Sequence, residues 1–162
     1  MTAHHATLVR RTDAEALDAS GVTLLADTPA TGGAVTSHRS SFRAGRPGAP
    51  PHLHREASEL FHVLGGSLEV LLGESLTTLE KGDFLLVPPH LPHAFEAAGT
   101  EDADVFFVLT DAKPRFDYYR LLEQVYRGEV DPAELAATQD TYDNHYVDSA
   151  IWADRTGSPG LR

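Results

Sequence analysis

Two histidines separated by one residue, an acid five residues later and a lone histidine on a later segment constrain this chain most. The first segment reads Pro51-His52-Leu53-His54-Arg55-Glu56-Ala57-Ser58-Glu59, the second Gly82-Asp83-Phe84-Leu85-Leu86-Val87-Pro88-Pro89-His90-Leu91-Pro92-His93. Side chains alternate faces along a strand, so His52 and His54 point the same way. Glu59 follows a short turn and opens the next strand, with Phe61 and Val63 as its same-face neighbours. His93 supplies a fourth donor from another wall. Three imidazoles and one carboxylate that converge can hold one divalent transition metal ion. Histidine suits Zn, Cu, Fe and Ni, and a carboxylate oxygen widens the range toward Mn and Fe. These ligands do not distinguish Fe, Ni, Mn, Co, Cu and Zn.

The rest of the first ~110 residues fits such walls. Short apolar runs alternate with Gly, Pro and Asp clusters. They predict strands at Thr7–Arg10, Val22–Ala26, Ala34–Arg43, Leu60–Leu64, Leu68–Leu72, Ser75–Leu79, Phe84–Val87, His93–Ala97 and Val105–Leu109. Many short antiparallel strands without an internal repeat argue for a single sandwich or barrel, with its core at about 34–110. The 162-residue length agrees with one domain.

The C-terminal part changes character. Arg115–Arg127 has helical apolar spacing (Phe116, Tyr119, Leu122, then Val125 or Tyr126), and Gly128 is a stop. Asp131-Pro132-Ala133-Glu134 carries an N-cap, a proline at the first helical position and a glutamate at the third. It predicts a second helix to about Thr138. The extension from about 113 to 152 is too apolar to be a free linker and is expected to pack on the barrel or on a partner subunit. Residues 153–162 read as flexible.

Composition narrows the function. The net charge of −11 opposes phosphate backbones, so no nucleic-acid partner is expected. The absence of cysteine removes disulfides and thiolate chemistry. No run approaches the ~20 apolar residues of a membrane helix. The first residues lack a basic segment followed by an apolar one, so a cytoplasmic protein without membrane partners is expected.

The two motifs resemble those of the cupin superfamily. Its first motif is Gly, five residues, His-x-His, three or four residues, Glu, six residues, Gly. His52, His54, Glu59 and Gly66 fit; Gly45 and Gly48 flank the place of the leading glycine, which holds Arg46. Its second is Gly, five residues, Pro-x-Gly, two residues, His, three residues, Asn. Gly82, Pro88 and His93 fit, while His90 and Ala97 replace the second Gly and the Asn. The resemblance covers roughly residues 45–97. It implies an all-β jelly-roll barrel (a double-stranded β-helix) with short C-terminal helices. It also implies His52, His54, Glu59 and His93 as metal ligands, and a homodimer.

Parity puts Phe61, Val63 and Phe95 on the inward face with Glu59 and His93, and places no Arg or Lys there within the motifs. That favours a flat apolar or aromatic ligand with one or two oxygens for the ion, and disfavours sugar phosphates and small dicarboxylates. With this pocket, the resemblance within the superfamily is to quercetinase-type dioxygenases. It implies a phenolic or enolic substrate, with Glu59 as general base. Two alternatives stay open: a redox-neutral metalloenzyme (cyclase, isomerase or decarboxylase) and a non-catalytic metabolite-binding barrel. Outside the motifs, His62 reads as an outer-face or subunit-interface residue, His90 as a rim residue and Glu56 as solvated. His4 and His5 read as terminal and mobile, and the facing of His38 is undecided. Tyr142, Asp143, His145 and Tyr146 read as an interface or surface cluster, with a lid contact as the minority alternative.

Overall fold

The computed structural model describes residues 6–111 and 113–156; His4, His5 and 157–162 of the segment expected to be flexible lie outside them. Among the described residues eleven strands form two antiparallel sheets. The larger runs β1 (Glu15–Leu17), β2 (Val22–Ala26), β3 (Val35–Phe42), β10 (Ala103–Thr110), β5 (Ser58–Gly65), β8 (Phe84–Val87). The smaller runs β11 (His145–Tyr146), β4 (Ala49–Leu53), β9 (His93–Ala97), β6 (Ser67–Leu72), β7 (Ser75–Glu80). This is the jelly-roll, double-stranded β-helix fold, with short C-terminal helices.

The inward residues of both sheets meet as the core. Phe61, Val63, Val105 and Phe107 come from the larger sheet, and Leu68, Val70, Phe95 and Ala97 from the smaller; all are buried. Alternation is plain in β10, where every second residue is buried. Thr7–Arg10, expected as a strand, is irregular chain ahead of a turn closed by Asp13 N–H to Arg10 O at 2.9 Å. That run meets no free sheet edge, and Leu8 is exposed.

Gly66 shows why the first motif closes on glycine. Its φ is 64°, and a Cβ there would lie 2.1 Å from the Asp102 carbonyl oxygen. A Gly66→Ala variant is therefore expected to lose at least ~2 kcal/mol of stability, from the left-handed backbone penalty plus the clash. Urea denaturation with an unchanged midpoint would refute this. His90, at the second motif's glycine position, also has positive φ, 67°. A turn that glycine ordinarily serves is kept here by histidine, one of the non-glycine residues more often found in that region.

Helix α1 (Phe116–Tyr126) lies against β1 and β2, packing Tyr119 on Leu17, Val22 and Leu24. Its N-terminus is capped from outside: the Asp27 carboxylate accepts the backbone N–H groups of Arg115 and Phe116 at 3.1 to 3.2 Å. It ends in a Schellman turn, with Gly128 N–H to Val125 O and Glu129 N–H to Gln124 O both at 2.9 Å. Helix α2 (Pro132–Ala136) has the expected Asp131 cap, stops earlier than expected and is followed by α3 (Gln139–Tyr142). Helix α4 (Ala150–Thr156) includes residues 153–156, which composition marked as flexible. Its Trp152 covers Leu71 and Ala94 on the outer face of the smaller sheet. Arg155 lies over the Trp152 ring and pairs with Glu69 and Glu96. These anchors hold the segment.

Candidate metal centre

The four residues singled out by spacing come together at one end of the sandwich. His52 sits in β4 directly opposite His93 in β9. His54 follows the end of β4, and Glu59 enters from β5 of the other sheet. All four are buried, and one donor atom from each lies within 4.8 Å of the others. β4 carries Pro50 and Pro51, which cannot donate to a ladder. The β4–β9 register is irregular between Ala49 and His52, where those prolines fall. Gly48 lets the chain approach β9 there, since a Cβ would stand 2.1 Å from the Phe95 carbonyl oxygen.

Each imidazole is oriented by its second nitrogen. Nδ1 of His52 donates to Pro50 O at 2.7 Å, Nδ1 of His54 to Asp143 O at 2.5 Å, and Nδ1 of His93 to Leu91 O at 2.9 Å. Such carbonyl contacts fix the tautomer and leave the three Nε2 atoms for the centre. Glu59 Oε2 lies 2.9 Å from His93 Nε2 and 3.3 Å from His54 Nε2. Donors around a first-row ion at bond lengths near ~2.1 Å stand roughly 3–4.2 Å apart, so this cluster needs only small rotamer changes to close on one. Burial opposes charge on Glu59, but the imidazoles of His54 and His93 beside its oxygen outweigh it and hold the carboxyl well below its usual range. Burial, then the neighbouring His93 and His54, holds His52 well below its ordinary value. A neutral imidazole and an ionised carboxylate are the forms a metal needs. The donor set fits a divalent transition metal.

The clamp on His54 comes from the C-terminal extension. Asp143 adopts φ 52°, and its carboxylate accepts the backbone N–H groups of Arg55, Glu56 and Ala57 at 2.7, 2.9 and 3.1 Å. The cluster expected at an interface or surface therefore lies against the metal loop. Tyr146, its other end, pairs with His52 across β11–β4.

His52 and Glu59 open onto a cavity of about 880 Å³, within the range of small-molecule sites. Phe95 lines it as expected. Phe61 and Val63 do not; they are packed in the core, Phe61 at 4.8 Å from Phe107 and 5.1 Å from Phe95 between ring centres. Alternation gave their face correctly, but four residues of strand rise span about 13 Å, which takes Val63 from the cavity end into the sandwich. The wall is also less apolar than the motifs implied. Arg115, 2% exposed, lines it, as do Tyr118, Tyr119, Asn144 and Tyr146 from the extension. His38 faces inward from β3, stacked on Phe107 at 4.8 Å, and burial lowers its pKa to about 3. Spacing gave no signal for Arg115, the tyrosines and Asn144, because they meet the barrel only through the packing of α1 and the chain after α3; His38 belongs to β3, whose facing the sequence left undecided. His62 is exposed on the outer face; His90 and Glu56 are also exposed, and none of the three joins the cluster.

Several solved structures share this fold. KdgF from Halomonas sp. aligns with a TM-score of 0.55 at 21% identity, covering 67% of this chain and 96% of that one. A double-stranded β-helix protein from Klebsiella pneumoniae aligns with a TM-score of 0.49 at 19% identity, covering 55% and 74%. The DMSP lyase DddQ from Ruegeria pomeroyi aligns with a TM-score of 0.43 at 24% identity, covering 48% and 39%. At 21% identity the likeness to KdgF shows the fold. No curated protein matches the sequence. Residues 38–109, the segment that carries His52, His54, Glu59 and His93, match the family model of the cupin domain.

Proposed function

We propose that this protein is a metal-dependent enzyme of small-molecule metabolism, most simply a dioxygenase-type oxidoreductase acting on a phenolic or enolic compound. The observation that carries it is the set of three imidazoles, each tied through Nδ1 to a carbonyl, that converges with an ionised Glu59 on the wall of a closed-in cavity. When bound, the ion would supply Lewis acidity and orient a substrate oxygen. Glu59 then takes the hydroxyl proton of the substrate as general base, and Phe95 with the tyrosine rings packs its flat body. Dioxygen is the co-substrate of this reading. The test is metal analysis of the purified protein, followed by oxygen-electrode assays with flavonols and β-diketones. Oxygen uptake that depends on bound metal is expected; its absence with every such compound would remove the oxygenase reading.

Glu59→Gln separates binding from chemistry. It is expected to keep much of the metal and to lose at least ~100-fold in turnover, the scale of general-base catalysis. Unchanged turnover would exclude Glu59 from proton transfer.

A second reading drops oxygen and keeps the ion as a polariser of a carbonyl, as in a cyclase, isomerase or decarboxylase. The polar lining by Arg115, Tyr118, Tyr119 and Asn144 favours it, because such a wall suits an oxygen-rich ligand. Zinc in the native protein would support this reading against the first. A homodimer belongs to the same proposal. Phe84 and Leu86, 62% and 52% exposed on edge strand β8, are the surface a second copy would cover. Light scattering that returns the 17.5 kDa of one chain would exclude it. A cytoplasmic location is likewise proposed; among the described residues no helix is long and apolar enough to cross a membrane.

A further inference from the structure

Arg115 is a buried cation that lacks a counter-ion. Its Nη1 donates to the Tyr142 carbonyl at 2.5 Å and its Nη2 reaches Asn144 Oδ1 at 3.5 Å, while its buried Nε has no partner. Its guanidinium lies 5.3 Å from the centre of the Tyr118 ring. Among the described residues no carboxylate pairs with it. The nearby Asp27 carboxylate instead holds the backbone N–H groups of Arg115 and Phe116. The other acids of the cavity wall, Asp18 and Asp102, are exposed. Arg155 is the contrast: also largely buried, it lies against both Glu69 and Glu96. A desolvated guanidinium without an anion is costly unless something supplies the missing charge. Its fork of donors matches a carboxylate.

We propose that the cavity takes a carboxylate-bearing ligand, and that Arg115 binds the carboxylate. The inference rests on the metal reading for the other end of the ligand only. Glu59 interacts electrostatically with Arg115 across the cavity, and as a metal ligand it has its own cation to neutralise. The cavity then has two buried positive poles, the ion at His52 and Glu59 and the guanidinium at Arg115, while Arg43 and Arg46 are exposed at its rim. A ligand that spans them carries an oxygen donor at one end and a carboxylate at the other. Its body lies among Tyr118, Tyr119 and Phe95. This reverses the expectation from the motifs, which placed no cation on the inward face. Arg115 lies outside residues 38–109, so the carboxylate preference is a property of the extension.

The probes are para-hydroxybenzoate, para-hydroxyphenylacetate and para-hydroxyphenylpropionate, each measured against its own amide. Isothermal titration is run on zinc-loaded and on metal-free protein, with zinc content measured separately. At least one acid is expected to bind the wild type about ten- to a hundredfold more tightly than its amide. The preference should fall to near unity in Arg115→Gln and stay intermediate in Arg115→Lys, with zinc content unchanged in both. The proposal is overturned if no acid outbinds its amide in the wild type, or if Arg115→Gln keeps the preference. Should Arg115→Gln fail to fold by circular dichroism, the wild-type comparison and Arg115→Lys still decide. A carboxylate preference in protein that takes up no zinc would sustain Arg115 and refute the metal reading. Zinc uptake with equal binding of acid and amide would do the reverse.

Discussion

His93→Ala is expected to lower affinity for a divalent ion by at least ~100-fold. Loss of a group that merely supports a ligand costs 10–100-fold, and His93 is a donor itself. Its Nε2 is 2.9 Å from Glu59, its Nδ1 is locked to Leu91 O, and it is fully buried opposite His52. Removal also leaves the buried Glu59 carboxylate without its nearer polar neighbour, a stability cost of about 1–3 kcal/mol. Competition against a chromophoric chelator reads the affinity, and denaturation reads the stability. Retained metal stoichiometry and affinity would place the ion elsewhere and remove the site described above.

Asp143→Ala is expected to cost about 3–5 kcal/mol of folding stability and ~10–100-fold in metal affinity together. Three backbone N–H groups lose a charged acceptor, and Ala57, one of the three residues, is buried away from water. The φ of 52° also suits aspartate better than alanine. The affinity loss follows because the carbonyl of the same residue orients His54. Asp143→Asn keeps the backbone preference and an acceptor, so about half the stability effect is expected. Urea denaturation and chelator competition check both figures.

The pH dependence has a definite sign. Burial opposes ionisation of Asp143, but the three N–H donors outweigh it and lower its pKa below the ordinary value. A depressed folded-state pKa contributes stability above the unfolded value, near pH 4, that is lost as pH falls through the folded value. The stability gap between wild type and Asp143→Asn is therefore expected to be constant at neutral pH and to shrink below about pH 4. A gap that widened on acidification would contradict the clamp.

The four clustered residues were readable because their grouping is local at each step. The His-x-His pair needs only strand alternation, and Glu59 only a short turn. His93 was expected only as a donor from another wall, on the second motif. Gly66 and Gly128 were readable for the same reason, since a left-handed backbone marks its residue. Thr7–Arg10 failed because a strand exists only where a partner edge is free. Alternation named the face of Phe61 and Val63, but it carries no information about depth along that face.

From residue order alone came the barrel, its turns and the grouping of four residues that could hold one cation, all products of periodicities a few residues long. The character of the cavity did not. Arg115, Asn144 and the tyrosines reach it through contacts far apart in the chain, such as Arg55 with Asp143 and Ser20 with Glu123. Packing of the C-terminal helices turned an expected hydrocarbon wall into a polar one with a buried arginine, because that arginine's neighbours are set by docking in three dimensions and leave no repeat in the sequence.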